Sequence, residues 1–176
     1  MFDLTIIPWL DFNIEGDVLQ GSACHDQGFV YCWSGAIDCV RITGEKYCFG
    51  CKITLTQPKD MEDNPPNQQH VCRLGISRGD DAVGNLREIE NNFGFDGVGK
   101  FSVSKKFSNH DEKFGVGGTI VCVVNLETKP LTSIGFSKNE KQLGIAKEFD
   151  AGQKGLGVMD SLMMKLHWES TLFHLR

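Results

Sequence analysis

Residues 113–146 read KFGVGGTIVCVVNLETKPLTSIGFSKNEKQLGIA, and the fold follows from this stretch. A Gly-rich entry leads into the apolar run 120–124. Glu127-Thr128-Lys129-Pro130 has turn composition. Thr132, Ile134 and Phe136 then alternate with Leu131, Ser133, Gly135 and Ser137. Lys138-Asn139-Glu140 marks a second turn, after which Leu143 and Ile145 close a third, short strand. Strands joined by tight turns at this spacing predict an antiparallel meander. The run 120–124 is apolar at every position, which predicts a central strand covered on both faces. A meander with an apolar face must bury it against a second sheet.

The rest of the chain offers that sheet. Residues 46–56 alternate over eleven positions: Tyr47, Phe49, Cys51, Ile53 and Leu55 on one parity, with Lys46, Cys48, Gly50, Lys52, Thr54 and Thr56 on the other. Strict period two predicts a strand with one wet face. His70, Cys72, Leu74 and Ile76 alternate with Val71, Arg73 and Gly75, predicting another. Shorter strands are expected at 4–7, ended by Pro8, within 12–20, and at 29–33, ended by Ser34-Gly35. Residues 93–97 should make a strand and turn, and 100–107 a strand with a basic side. Residues 57–69, with three of the five prolines, read as an exposed loop, as do 77–92 and the segment after Phe149. Residues 162–176 are the one stretch with a helix-compatible composition, though without a clear apolar stripe.

Length and composition bound the function. A chain of 176 residues suffices for one domain with a sizeable core. Twenty Gly and 12 Phe among Val and Ile favour an all-β protein with many turns. The net charge of −5 argues against bulk capture of nucleic acid, which needs clustered Lys and Arg. The N-terminus has no basic region ahead of its short apolar run, so no export signal is expected. No stretch approaches the ~18 apolar residues of a membrane span. Seven cysteines, an odd number, then read as reduced thiols of a cytosolic or nuclear protein.

Several short motifs invite chemistry and do not sustain it. Residues 94–100 match the GxxxxGK half of a phosphate-binding loop, but Phe101 stands where Ser or Thr should hold Mg²⁺, and no helix pattern follows. A Gly-rich turn between two strands is the simpler reading. Cys48 and Cys51 have metal-pair spacing, yet a separation of three on a strand places them on opposite faces. Arg78-Gly79-Asp80 is a charged turn, and the carboxylates at Asp60, Glu62 and Asp63 lack calcium-loop spacing. His25, Asp26, His70 and the serines form no recognisable nucleophile–base arrangement. No catalytic residue, metal or cofactor is expected. Lys100, Lys105, Lys106 and Lys113, interleaved with Phe101 and Phe107, could track a single strand of RNA by charge and stacking; against this, both Phe would serve the core and the lysines would solubilise an edge.

An ordered set of motifs resembles the SPRY domain. Tyr31-Cys32-Trp33-Ser34-Gly35, Gly44-Glu45-Lys46-Tyr47-Cys48-Phe49 and Cys72-Arg73-Leu74-Gly75-Ile76-Ser77 resemble its first half. Phe93-Gly94-Phe95-Asp96-Gly97 with Gly99-Lys100, Glu112-Lys113-Phe114-Gly115, Thr119-Ile120-Val121-Cys122, Gly135-Phe136-Ser137-Lys138-Asn139 and Leu143-Gly144-Ile145-Ala146 resemble its second. Residues 58–69 and 128–135 are similar to the heterogeneous nuclear ribonucleoprotein U-like branch, especially the plant members. The resemblance implies a bent antiparallel β-sandwich (a concanavalin-like jelly roll) spanning about residues 11–173. Residues 1–10 would then be an extension or edge strand, and 174–176 a divergent tail. It also implies a non-catalytic module that binds a protein or peptide through loops at one end, in a nuclear, RNA-processing setting, with cytoplasmic residence as the alternative compartment. Arg78, Asp80, Phe95, Asn109 and His110 are the expected partner-binding residues. The alternative is direct RNA contact through Lys100, Lys105, Lys106 and Lys113. The helical DNA-binding module, kinase-like domain and Arg/Gly-rich tails typical of that branch are not represented here.

Departures from the family pattern carry their own expectations. Glu140 replaces the Gly usual after Lys-Asn, Leu86-Arg87-Glu88 replaces Leu-Gly-Glu, and Ala36-Ile37-Asp38-Cys39 replaces an Ala-Arg-containing segment. The closing strands that follow a Pro-His motif are not recognisable, which predicts an uncovered sheet edge, lower stability, or little activity of the chain on its own.

Overall fold

The computed structural model describes residues 6–9, 12–15, 20–23, 34–42, 46–56, 72–78, 92–103, 106–110, 112–127, 131–150, 162–168 and 171–175. The strands among them are β1 (Ile6–Trp9), β2 (Phe12–Ile14), β3 (Gln20–Ala23), β4 (Ser34–Ile42), β5 (Lys46–Thr56), β6 (Cys72–Arg78), β7 (Phe93–Asp96), β8 (Lys100–Val103), β9 (Lys106–Asn109), β10 (Thr119–Asn125), β11 (Leu131–Lys138), β12 (Lys141–Asp150), β13 (Leu162–Trp168) and β14 (Thr171–Leu175). They form two antiparallel sheets of seven, in the orders β1-β4-β13-β6-β7-β8-β9 and β12-β11-β10-β5-β14-β3-β2. The expected all-β sandwich is therefore the observed class. No helix among the described residues is long and apolar enough to cross a membrane.

The meander β10-β11-β12 is present, and β5 extends it on the other side, with Cys122 opposite both Phe136 and Phe49. The β5 strand occupies the predicted eleven residues; Cys51 and Ile53 are buried while Cys48 and Lys52 are exposed. The parity argument against a Cys48–Cys51 metal pair thus holds in three dimensions. Core residues from the second sheet include Leu74, Ile76, Phe93, Phe95 and Phe101, all within 2% of complete burial.

Several expectations need correction. The run 120–124 is an inner strand, but it is covered on one face only: Ile120, Cys122 and Val124 are fully buried, whereas Val123 is 42% exposed. The strand expected to close briefly at Leu143 and Ile145 is the ten-residue β12, along which Leu143 is buried and Ile145, of the same parity, is 61% exposed. The cause is a bulge: the β11–β12 register shifts around Gly135, and Gly144 takes φ 87°. Residues 34–42, whose Ser-Gly start reads as a terminator, form the nine-residue β4. Residues 162–175 are two strands, with no helix. They fill inner positions, β13 between β4 and β6 and β14 between β5 and β3. Among the described strands, those at the ends of the sheets are β1, β9, β2 and β12, and β13 and β14 are not among them. Pro8 lies within β1 rather than ending it, which an edge strand tolerates because the ring costs no ladder bond on the open side. The expected strand at 29–33 lies outside the described residues.

The turn between β11 and β12 places both central residues in the left-handed region, Asn139 at φ 48° and Glu140 at φ 67°. That is the geometry of a two-residue type I′ hairpin, for which Asn-Gly is the favoured pair. Asn tolerates it; Glu pays the Cβ clash. The replacement Glu140→Gly is expected to stabilise the fold by about 0.5–1 kcal/mol after the entropy of the unfolded glycine is offset. A higher urea midpoint at unchanged m-value checks this, and a lower midpoint contradicts it.

Candidate functional site

One end of the sandwich gathers the turn at 97–99, the segment 110–118 and the turn at 139–140. Asp96, buried at the end of β7, shapes the first. Its carbonyl accepts from the Gly99 N–H at 2.9 Å, and its Oδ1 accepts from the Lys100 N–H at 2.9 Å. Gly99 takes φ 84°, as the tight turn requires. The Gly-rich stretch that mimics half a phosphate loop is thus a strand-to-strand turn.

Segment 110–118 is tied to this turn and to both sheets. The His110 N–H donates to the Gly99 carbonyl at 3.1 Å, and the Phe114 N–H to Gly97 at 3.0 Å. Gly97 in turn donates to the Cys72 carbonyl of β6 at 2.8 Å. On the other sheet, the Gly117 N–H donates to Ile53 of β5 at 2.8 Å, and the Ile53 N–H donates to Gly118 at 3.0 Å. The third turn docks beside it: Asn139 Oδ1 accepts from the Thr119 N–H at 2.8 Å, and the Asn139 N–H donates back to Thr119 at 2.9 Å. Lys138 Nζ donates to the Lys113 carbonyl at 2.7 Å, and both Lys138 and Lys141 pair with Glu112. The hydrogen bond and charge of Lys141, aided by Lys138, hold the Glu112 carboxyl below its ordinary range. Its stabilising contribution is present near neutral pH and is lost as pH falls through that lowered value. The pairs are solvent-exposed, so the contribution is small.

Beneath these loops lies an aromatic cluster. The Phe95 ring centroid is 4.9 Å from Phe136, 5.1 Å from Phe114 and 5.6 Å from His110. His110 is half-buried and also meets Phe101 and Phe136 at about 6 Å. Phe95 is fully buried and cannot touch a partner: its apolar ring joins the two sheets, where a hot-spot role would need exposure. This corrects its place among the expected contact residues.

The register separates the other candidates. Asn109 and Lys100 are opposite one another on β9 and β8, both exposed, and belong to this end with exposed Lys113. Arg73 pairs with Asp96, so Arg78 stands five residues away, about 17 Å along β6. Lys106 pairs with Val103 and lies about 10 Å from Lys100 along the same hairpin. The expected sets therefore split: Lys100, Asn109, His110 and Lys113 converge, while Arg78 and Lys106 lie toward the opposite end. Asp80 and Lys105 lie outside the described residues.

Sequence reasoning overlooked Val116. It is 56% exposed at the tip of segment 112–118, between exposed Gly115 and Gly117. Its signal was readable: a lone apolar side chain flanked by glycines in a turn has no core to enter. Among the described residues, no three His, Cys, Asp or Glu side chains are placed to hold a metal ion.

Comparison with known proteins places this architecture. No family model matches the sequence. The chain is 33% identical over 137 residues to mouse heterogeneous nuclear ribonucleoprotein U-like protein 2, a match covering 78% of this chain and 18% of that protein. It is 28% identical over 143 residues to the ATP-dependent RNA helicase DDX1 of Xenopus laevis, covering 80% of this chain and 19% of that one. The chain thus spans less than a fifth of the length of these curated relatives. A human SPRY domain superposes with a TM-score of 0.68 at 13% identity, covering 98% of this chain and 96% of that one.

Proposed function

We propose that this chain, a SPRY-fold domain similar to a segment of the ribonucleoprotein U-like proteins, is a non-catalytic module that binds a protein or peptide partner. The supporting observation is the end built by turn 97–99, segment 110–118 and turn 139–140. Backbone hydrogen bonds tie these loops to one another and to both sheets, so little conformational entropy is lost on binding. They carry exposed Lys100, Asn109, Lys113 and Val116, a polar rim beside one apolar contact. Among the expected contact residues, Asn109 and His110 belong to this surface; Arg78, toward the other end of β6, would make a second, separate contact. The names of the relatives support a nuclear ribonucleoprotein setting.

The test is capture of partners from a nuclear extract, with and without RNase, by wild type and by a variant carrying alanine at Lys100, Asn109, Lys113 and Val116. The quadruple variant is expected to lose capture at least 10-fold while its thermal melt stays within a few degrees, because all four side chains are exposed. Arg78→Ala is expected to retain capture at this end. Unchanged capture by the quadruple variant would sink the assignment.

A second reading has one observation in its favour. Phe107 is 49% exposed on the edge strand β9, next to exposed Lys106, an aromatic ring beside a cation at the surface. Phe101, by contrast, is buried, and Lys106 lies three positions along the hairpin from Lys100, away from the end that carries Lys113. Direct RNA contact predicts a gel shift that weakens steeply with salt and is lost in Phe107→Ala; no shift at low salt removes it.

A further inference from the structure

The tripeptide Lys-Phe-Ser occurs twice in one hairpin, at 100–102 on β8 and at 106–108 on β9. The two copies run antiparallel and pair crosswise, with Phe101 opposite Ser108 and Ser102 opposite Phe107. Their surroundings differ completely. In the first copy Phe101 and Ser102 are 2% and 1% exposed, and the Ser102 hydroxyl donates to the Gly94 carbonyl of β7 at 3.3 Å. In the second copy all three side chains are exposed. The same local chemistry is hidden in one strand and presented to solvent in the other.

We propose that Ser108 is a phosphorylation site for a protein kinase that reads basic residues on the N-terminal side of its target. Lys106 and, in the sequence, Lys105 stand two and three residues before Ser108. Kinases choose their targets by charge pattern, and basic side chains at these offsets suit an acidic substrate groove. Strand β9 is already extended, lies at the end of its sheet among the described strands, and pairs with β8 over only four residues. Local opening of so short a pairing costs little. The charge on the other side of Ser108 is committed to the fold. Glu112, four residues on, pairs with Lys138 and Lys141, and the His110 N–H donates to the Gly99 carbonyl at 3.1 Å. The accessible recognition element is therefore the upstream lysine.

The Ser108 hydroxyl oxygen attacks the γ-phosphorus of ATP, and the bond from that phosphorus to the bridging oxygen of ADP breaks. The hydroxyl proton passes to the catalytic aspartate of the kinase. The products are phosphoserine, ADP and one proton. The new group carries a charge of about −1.5 to −2 at neutral pH. Lys106 lies on the same face of β9, two residues or about 7 Å along the strand, so this stretch turns from cationic to anionic. The change falls beside Asn109, a residue of the proposed partner surface. The site itself does not rest on that surface, since exposure and charge alone define the acceptor serine.

The test incubates the full folded chain with MgATP and the catalytic subunit of cyclic-AMP-dependent protein kinase, a basic-directed enzyme. A parallel reaction contains casein kinase 2, an acid-directed one. Phosphate is mapped by mass spectrometry after digestion. The expected result is phosphate on Ser108 and none on Ser102, transferred faster by the basic-directed enzyme. Lys106→Glu is expected to slow transfer at least about 10-fold and Lys106→Arg to preserve it, because the contact is one of charge. Both variants should melt with wild type, as Lys106 is exposed. Phosphate on Ser102 in place of Ser108, no phosphate on Ser108, faster transfer by the acid-directed enzyme, or an unchanged rate in Lys106→Glu each overturns the proposal. Partner capture enters none of these readouts, so a failure of the partner surface and a failure of this site are told apart.

Discussion

Phe95→Ala is expected to destabilise the fold by about 3–5 kcal/mol, as large-to-small changes at fully buried aromatics do. The ring lies on β7 and its neighbours come from elsewhere: Phe136 from β11 in the other sheet, Phe114 and His110 from the segment between β9 and β10. Truncation removes the contacts of all three at once and leaves a cavity between the sheets. A domain of this size has about 5–15 kcal/mol in total, so a large share disappears. The measurement is urea unfolding followed by tryptophan fluorescence, with Phe107→Ala as the comparison. Phe107 is half-exposed on an edge strand, and its truncation should change stability by less than about 1 kcal/mol. Equal midpoints for the two variants would contradict the burial argument. Partner capture by Phe95→Ala must be read with its melting curve, since lost binding there reports lost folding.

That contrast shows what was legible in the sequence. Period two named the buried and exposed faces of β5 and β11 correctly, because those strands alternate cleanly and each has one wet face. It failed at β10, where Val121 and Val123 are as apolar as their inward neighbours; a run of valines does not say which face the second sheet covers. Alternation could not have placed Ile145, because the register shift beside it inverts parity between Leu143 and Ile145. Residues 162–175 are rich in Leu and Met, which favour helix locally. Their strand state comes from partners far away in the chain, such as Leu166 with Leu74 and Leu172 with Leu55, and tertiary pairing overrides local preference. The site was legible in part for the same reason. The resemblance offered Arg78, Asn109, His110 and Lys100 as one list of candidates, and only strand direction reveals that Arg78 and Lys100 lie toward opposite ends of the sandwich.

The same logic makes Gly75→Ala the other large effect, and here the cause is backbone against backbone. Gly75 sits on inner strand β6, opposite Gly94 of β7 and Lys165 of β13. A Cβ built at Gly75 would lie 1.9 Å from the Phe93 carbonyl oxygen and 2.8 Å from the Gly94 Cα. Neither atom belongs to a side chain that could rotate away. Relief requires β6 and β7 to part, which strains the ladder that holds Leu74 against Phe95 and Ile76 against Phe93 in the core. The expected cost exceeds about 4 kcal/mol, the range reserved for severe lesions, and the variant should accumulate as insoluble protein or melt far below wild type. Gly115→Ala is the matched control: its Cβ would meet nothing within 4 Å, and Gly115 is not among the residues at positive φ. It should be neutral or slightly stabilising, because alanine narrows the unfolded ensemble. A Gly75→Ala protein that melts within about 2 °C of wild type would mean that β6 and β7 do not approach as closely as the paired glycines allow, and the register through Phe93 and Phe95 would have to be redrawn.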